Sequence, residues 1–493
     1  MRIVHVSAEV HPFAMTGGLA SVASSLPSAL HGAGHDTFVI TPLHSQEGVD
    51  LEWLDGPFRT PDGMEFGLGK SVIPGSDCPV VFVASNEYFN RRGLYGPTGS
   101  EAWPDNAARF SFFCRAALEA VSRLGGCDVL HCHDWHAGLV PVMSRLQGGP
   151  PAVFTIHNLA FQGTFPLDQF AATGLPTAMA GLDGLEYHGG FSFMKGGILF
   201  SERVTTVSPT YASEVTTPEG GFGMEGLLLQ KRGEGRLEGI LNGIDNELWG
   251  PEDDPSISPW FTPDSLRRRS ACRSALLEEC GLTLPDSAIV AGVVSRLTWQ
   301  KGLDLVLPAL EGLIAEGRLS LAVLGTGESW IEDPLSAASR RFPGRVFFRR
   351  EYDDPLSRRI YAGCDIFLMP SRFEPCGLSQ MIAMRYGAIP VVRRTGGLAD
   401  TVTDIREGGC GIVFDGSEPE ALRQAVGRAA EAYGDVRSWR AMQRSAMRID
   451  NSWTARVPAY LEIYRKASSG GWIEKNHGCR APGRDLHRGN TDR

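Results

Sequence analysis

Several common signatures are missing from these 493 residues, and each omission narrows the field. None of the ten cysteines stands in a CxxC pair. Neither a zinc ribbon nor a disulfide scaffold is indicated, and a reduced, cytoplasmic compartment is expected. No apolar run reaches transmembrane length. Met1-Arg2-Ile3-Val4-His5-Val6-Ser7 enters a strand pattern directly, without the anatomy of a signal peptide, so no membrane partner is expected. Long basic runs are also lacking: 47 Lys and Arg face 57 Asp and Glu, a formal net charge of −10. That balance argues against nucleic acid as a partner, while a few local cations suffice for a small anion. GxGxxG spacing is absent, so a dinucleotide fingerprint is not supported. What remains is an ordinary globular composition, 42% hydrophobic and 21% charged, long enough for two or three domains with ample core.

One stretch organises the chain. Asp365-Ile366-Phe367-Leu368-Met369 reads as a buried strand. It runs into Pro370-Ser371-Arg372-Phe373-Glu374-Pro375-Cys376-Gly377, and then into helical spacing at Leu378, Met381, Ile382 and Arg385. Glu374 is thus a lone carboxylate between strand and helix, at the sheet edge where open α/β folds bind ligands. An acid there accepts hydrogen bonds from a polyol, while the helix N-terminus offers N–H groups. Glu374 also fits a first-turn helix acid.

The first half repeats this anatomy. Strand Ile3–Ser7 leads to Met15-Thr16-Gly17-Gly18-Leu19-Ala20 and a helix with Leu19, Val22, Ala23, Leu26 and Leu30 on its apolar face. Two glycines let a ligand approach the backbone; the same pair also makes a tight turn. Further strands are expected at Thr37–Thr41 and Val80–Ala84, and a helix over Asn106–Leu124. Asp128-Val129-Leu130-His131-Cys132-His133-Asp134-Trp135-His136 ends a strand in histidines and an aspartate. A metal site is one reading, but no distant ligand set completes it. The preferred reading has Asp134 and Trp135 shaping a cleft while the histidines hydrogen-bond locally. Strand Ala152–Ile156 delivers His157 and Asn158; an imidazole there suits a sugar hydroxyl, or a buried structural role. Asn242-Gly243 is a turn.

Residues 251–265, rich in Pro, Asp, Glu and Ser, read as a linker between domains 1–250 and 266–450. Ser265–Cys280 has amphipathic spacing. Strand Ile289–Val294 is followed by Ser295-Arg296-Leu297-Thr298-Trp299-Gln300-Lys301-Gly302, where Arg296 and Lys301 stand where a diphosphate would be held. Strands Leu321–Leu324, Val346–Phe348, Ile366–Met369 and Ile389–Val392 follow. Thr395-Gly396-Gly397-Leu398-Ala399 then repeats Thr16-Gly17-Gly18-Leu19-Ala20. Two α/β domains, each with a Gly-Gly loop at one cleft, form the natural architecture. A final helix is expected within 451–467, and a polar, disordered tail over 468–493.

These segments together resemble the bacterial glycogen synthase and plant starch synthase family. They are TGGLA (16–20), HDWHAGLVP (133–141), TIHNLAFQG (155–163), FMKGGI (193–198), TTVSPTYASEV (205–215), GILNGID (239–245), SRLTWQKG (295–302), FEPCGLSQ (373–380) and RRTGGLADTV (393–402), in family order. The resemblance implies the GT-B fold: two Rossmann-like, doubly wound domains facing a deep cleft, with the last helix crossing back to the first. It implies a retaining glucosyltransferase acting on ADP-glucose and an α-1,4-glucan, glycogen, with no cofactor and no metal. Arg296 and Lys301 resemble the pair on the diphosphate. Glu374 resembles the acid on the glucose hydroxyls, and His157 the residue beside the C6 hydroxyl and anomeric carbon. These four are the implied catalytic residues. Cys376, Gly377 and Leu378 resemble the adjoining backbone contributors. Met15, Thr16, Gly17 and Gly18 resemble the phosphate loop, with Thr395, Gly396 and Gly397 its counterpart. Asp134, Asn158 and Asn242 resemble cleft-lining residues, and Tyr95 resembles a neighbour of the acceptor or adenosine.

Two positions depart from the family. Its first loop reads KTGGLADV; here Met15 replaces the lysine and Ser21 the aspartate. A lost charge-assisted contact costs roughly 1.5–3 kcal/mol, on the order of 10- to 150-fold. The departures keep two alternatives open: a GT-B transferase using UDP-glucose or another acceptor, and a weakly active glucan-binding paralogue.

Overall fold

The computed structural model describes residues 1–45, 48–97, 101–285 and 287–470. Two sheets carry the chain. In the first, the parallel strands are Arg2–Val6, Asp36–Pro42, Pro79–Ala84, Val129–His133, Ala152–Ile156, Arg203–Thr206 and Leu237–Gly239. Ranked in chain order, they lie 3-2-1-4-5-6-7 across the sheet. The second is wholly parallel: Ile289–Val294, Leu319–Leu324, Val346–Arg349, Ile366–Met369, Ile389–Arg393 and Ile412–Phe414, in the order 3-2-1-4-5-6. Both are doubly wound, and both reverse direction between their first and fourth strands. The inner strands are apolar on both faces: Ile3, Val4 and Val6 are fully buried, as are Val290, Leu321 and Val391. Helices cover each face, which is why these strands read as continuous hydrophobic runs.

The strands expected from sequence form within a residue or two of their places. Two features were not expected. Glu65–Val72 pairs antiparallel with Pro79–Ala84, and Glu52–Trp53 extends that edge. Gly67 and Gly69 interrupt its apolar alternation. They lie under Trp53 and Leu51, where an added Cβ would come within 3.2 Å of each side chain. A separate three-stranded sheet joins Thr164–Pro166, Glu186–Tyr187 and Gly190–Ser192, segments too short for any periodicity to show. The amphipathic stretch from Ser265 begins earlier, as a 3-10 turn over Pro263–Arg268, and becomes α-helical only at Arg269–Glu279. Thr262 starts that turn with a reciprocal side-chain and backbone cap to Ser265.

The last helix, Trp453–Ser469, leaves the second sheet and packs on the first. Trp453, Val457, Tyr460, Ile463 and Tyr464 share one cluster with Ile3, Val22, Leu26, Val129 and Val153. Lys466 pairs with Glu238 at 3.1 Å, and the Tyr464 hydroxyl meets His131 Nδ1 at 2.8 Å. The polar tail expected from Ser468 lies outside the described residues from position 471 onward; Ser468 and Ser469 belong to this helix.

Tyr464 is fully buried, so Tyr464→Ala should cost about 3–5 kcal/mol. Tyr464→Phe, which removes only the hydroxyl, should cost about 1–3 kcal/mol. Thermal melts followed by tryptophan fluorescence give the comparison.

Candidate active site

In a doubly wound sheet the loops leaving the strands on either side of the reversal point apart and open a crevice. Most of the candidate residues fall on those loops. In the second sheet the relevant loops follow Ile289–Val294 and Ile366–Met369. The first carries Arg296 and Lys301; the second carries Glu374, Cys376, Gly377 and Leu378. The two loops are pressed together. Gly302 has φ +64°, and an added Cβ would lie 2.1 Å from the Pro370 carbonyl oxygen. Arg372 N–H donates to the Gln300 carbonyl at 2.8 Å, and Gln300 Nε2 to the Phe373 carbonyl at 3.2 Å. This contact brings Lys301 Nζ to 2.6 Å from Glu374 Oε2, which also accepts from Ser371 Oγ at 3.0 Å. Glu374 is 5% exposed. Arg296 on the same loop is exposed, and its guanidinium makes no ion pair or hydrogen bond among the described residues. The backbone N–H groups of Cys376 and Gly377 likewise have no protein acceptor there. Lys301 is therefore paired with a single buried carboxylate, while Arg296 on the same loop and the N–H groups of Cys376 and Gly377 beside that carboxylate stay unpaired among the described residues. Leu378 is half-buried as the cap of helix Ser379–Arg385.

Thr395, Gly396 and Gly397 form the floor beneath Glu374. Gly397 N–H donates to the Glu374 carbonyl at 3.0 Å, and a Cβ on Gly396 would lie 1.9 Å from that same oxygen. Thr395 Oγ1 and Gly396 N–H both donate to Glu214 Oε1 of the first half, at 3.1 and 2.9 Å. Thr210 meets Asp400 beside them through its N–H and hydroxyl, at 2.9 and 2.7 Å. The second Gly-Gly loop is thus spent on holding the chain's two halves together.

The first Gly-Gly loop is used differently. Glu9 gathers it: Thr16 N–H and hydroxyl donate to the Glu9 carboxylate at 2.7 and 2.6 Å. The Tyr95 hydroxyl donates to Glu9 at 2.5 Å, so Tyr95 acts on the loop through Glu9 and does not present a free hydroxyl. Gly17 is extended, and an added Cβ at Gly17 or Gly18 meets nothing within 4 Å. No side chain caps the helix that starts at Gly18, and Met15 is 43% exposed beside it. The chain's own packing does not demand these glycines; the open space above them is where a ligand would reach the backbone.

Asp134 ends strand Val129–His133 with φ 55° and ψ −179°, a region that costs a non-glycine residue about 1–3 kcal/mol. Its carboxylate accepts from the N–H of His157 at 2.8 Å and, at a longer 3.5 Å, from that of Asn158. Burial raises the Asp134 carboxyl to about 7, against the opposing pull of these N–H groups. Burial lowers the His157 imidazole to about 3, so it is neutral at ordinary pH. The Asn158 side chain turns back to accept from Ala160 N–H. Asn242 is buried and its Oδ1 has no partner among the described residues; its backbone borders the Cys376 thiol across the two halves. Phe222 and Phe373 meet edge-on at 5.7 Å over the same junction.

His5, His131 and His133 crowd together with ring nitrogens within 4.8 Å, yet all but one of those nitrogens are committed to hydrogen bonds. His131 binds Tyr464 and Thr155; His133 binds His5 and His157. One uncommitted nitrogen, His5 Nε2, is not a ligand set. Sequence reasoning assigned no role to Glu9, Glu214, Ser371 or Asp400. Glu9 follows a strand directly, which was a usable signal; the others become visible only once the loops meet. Two surface concavities elsewhere, one beside Leu54 and Phe66 and one beside Arg437 and Arg440, contain none of the site residues.

Both halves of the chain are similar to known proteins. Residues 2–230 match the starch synthase catalytic domain model, and 288–432 match glycosyl transferases group 1. A glycogen synthase of Geotalea daltonii is 42% identical over 483 residues, covering 94% of this chain and 98% of that protein. The chain belongs to the glycogen synthase family. Glycogen synthase 2 of Geobacter sulfurreducens is also 42% identical, covering 95% of this chain and 99% of its own length. The catalytic domain of starch synthase IV from Arabidopsis thaliana, bound to ADP and acarbose, superposes with a TM-score of 0.86 at 33% identity, covering 95% and 99% of the two chains. Sucrose-phosphate synthase from Thermosynechococcus elongatus, at 17% identity and a TM-score of 0.62 over 94% of this chain and 98% of its own, shares the fold alone. The fold is GT-B, and the family is one of glycosyltransferases.

The two Gly-Gly loops make opposite predictions. Gly18→Ala should leave stability within about 1 kcal/mol and lower glucosyl transfer. Gly396→Ala, at φ +42° and against the Glu374 carbonyl, should lower the melting temperature by several degrees. Melting curves and turnover measured on both variants separate the roles.

Proposed function

We propose that the chain transfers glucose from ADP-glucose to the non-reducing end of an α-1,4-glucan, with retention of configuration and release of ADP. The observation that carries this reading is the meeting of Lys301 with Glu374 in the crevice where Arg296 is also uncompensated. A nucleoside diphosphate leaves with developing negative charge, and it needs that charge stabilised more than it needs a proton. Arg296, Lys301 and the free N–H groups of Cys376 and Gly377 supply the stabilisation. Glu374, held by Lys301 and Ser371, accepts hydrogen bonds from glucose hydroxyls. Neutral His157 contacts the sugar from the opposite wall, which Asp134 orients through the His157 backbone. On this reading residues 1–250 take the glucan and 266–450 the nucleotide-sugar, and closure between them excludes water in favour of the glucan hydroxyl. The nine described cysteines are all unpaired, and no described helix is long and apolar enough to cross a membrane; both support a cytoplasmic site of action.

The test is a steady-state assay with ADP-glucose and UDP-glucose as competing donors and glycogen as acceptor. Preference for ADP-glucose supports the reading, preference for UDP-glucose replaces the donor, and glycogen binding without transfer leaves only a glucan-binding protein. Arg296→Ala should reduce turnover by roughly 10²-fold or more while stability changes within about 0.5 kcal/mol. Met15→Lys should raise kcat/KM by about tenfold, the value of one charge-assisted contact. An unchanged or lower value would mean that this loop serves another contact.

A further inference from the structure

Three imidazoles form a line from the cleft into the first sheet. His157 Nε2 lies 3.0 Å from His133 Nδ1, and His133 Nε2 lies 3.0 Å from His5 Nδ1. His5 and His133 are fully buried, His157 half-buried. His5 and His133 stand on the first and fourth strands and His157 directly follows the fifth; the three strands are neighbours in the sheet. His157 Nδ1 has no hydrogen-bond partner among the described residues. His5 Nε2 is buried without one.

Burial holds His5 and His157 near 3 and His133 well below its ordinary value, so each ring carries one proton. Every N···N contact needs one N–H and one lone pair. His133, in the middle, must donate on one side and accept on the other. Only two arrangements satisfy this. If His133 carries its proton on Nε2, then His157 donates from Nε2, and His5 is left with an N–H buried against nothing. If His133 carries it on Nδ1, then His5 donates from Nδ1, His157 accepts at Nε2, and His5 Nε2 is a bare lone pair. A buried N–H without an acceptor is the rarer fault in folded proteins. The second arrangement places the His157 proton on Nδ1.

We infer that His5 and His133 are positioning residues that fix His157 as the Nδ1–H tautomer, so that it presents a hydrogen-bond donor, and no basic nitrogen, to the substrate. His157 then binds an oxygen lone pair on the sugar or the departing phosphate. It does not act as a general base, because its one lone pair is occupied by His133. This inference rests on the proposed placement of His157 at the sugar.

The experiment uses the full chain labelled with nitrogen-15 histidine, with the His157 signals assigned by their loss in His157→Gln. The expected spectrum shows Nδ1 protonated and Nε2 bare at neutral pH. A proton on Nε2 overturns the inference, whatever the activity. Two variants give the kinetic arm. His5→Asn places an amide N–H near the former Nδ1–H and should keep kcat within about threefold. His5→Leu removes the donor, should release the tautomer in the spectrum, and should lower kcat about tenfold, the equivalent of one hydrogen bond. Equal kcat for His5→Leu and wild type, with the melting curve retained, overturns it. Equal losses in His5→Asn and His5→Leu also overturn it, since they would report packing alone. If wild type transfers no glucose from any donor while the spectrum is as expected, the proposed reaction fails and the tautomer assignment stands.

Discussion

The ion pair between Lys301 and Glu374 governs the second half of the chain. Both side chains are largely withdrawn from water, 19% and 6% exposed. Removing two charges from solvent is costly, and such a pair is seldom a net source of stability. Its value here is placement. It fixes a carboxylate and an ammonium at the reversal of the second sheet, on a loop that also carries Arg296. Around that point the backbone is built tightly: Gly302 against Pro370, Gly396 against Glu374, and Gly397 against Cys376. The loops have little freedom to separate the charges.

The repeated Thr-Gly-Gly-Leu-Ala shows how one short sequence serves two physical purposes. At 395–399 the glycines are required by contact, since backbone oxygens occupy the space a side chain would need. At 16–20 nothing occupies that space. Glu9, itself held by Tyr95, binds the first loop by Thr16 and at a longer 3.4 Å by the Gly17 N–H, and leaves the space above the glycines' Cα atoms open. The substitution of Met15 for the family's lysine falls on this open loop. Arg296 and Lys301 stand instead on a loop of the second sheet.

The last helix matters for the same reason. It ties the chain's end to the first sheet through Tyr464 and His131, and its crossing passes Gly243, where Trp453 backbone lies 2.5 Å from any added Cβ. Glu214 and Asp400 secure the opposite side of the junction. The chain's two halves are connected at several points, and the buried imidazole line runs within the sheet that the helix covers.

Hydrophobic patterning is enough to specify the two doubly wound halves. Parallel strands covered on both faces must be apolar throughout, and their polar C-terminal ends therefore stand out. That contrast marks His157, Arg296, Lys301 and Glu374 as candidates. The antiparallel edge was not legible, because Gly67 and Gly69 erase the alternation that would mark it. Tertiary structure alone decided that Tyr95 acts through Glu9, that the second Gly-Gly loop meets Glu214, and that three histidines from separate strands touch. Those contacts span 86, 182 and 128 residues of chain. No local pattern encodes a partner at such distances; strand order brings the groups together.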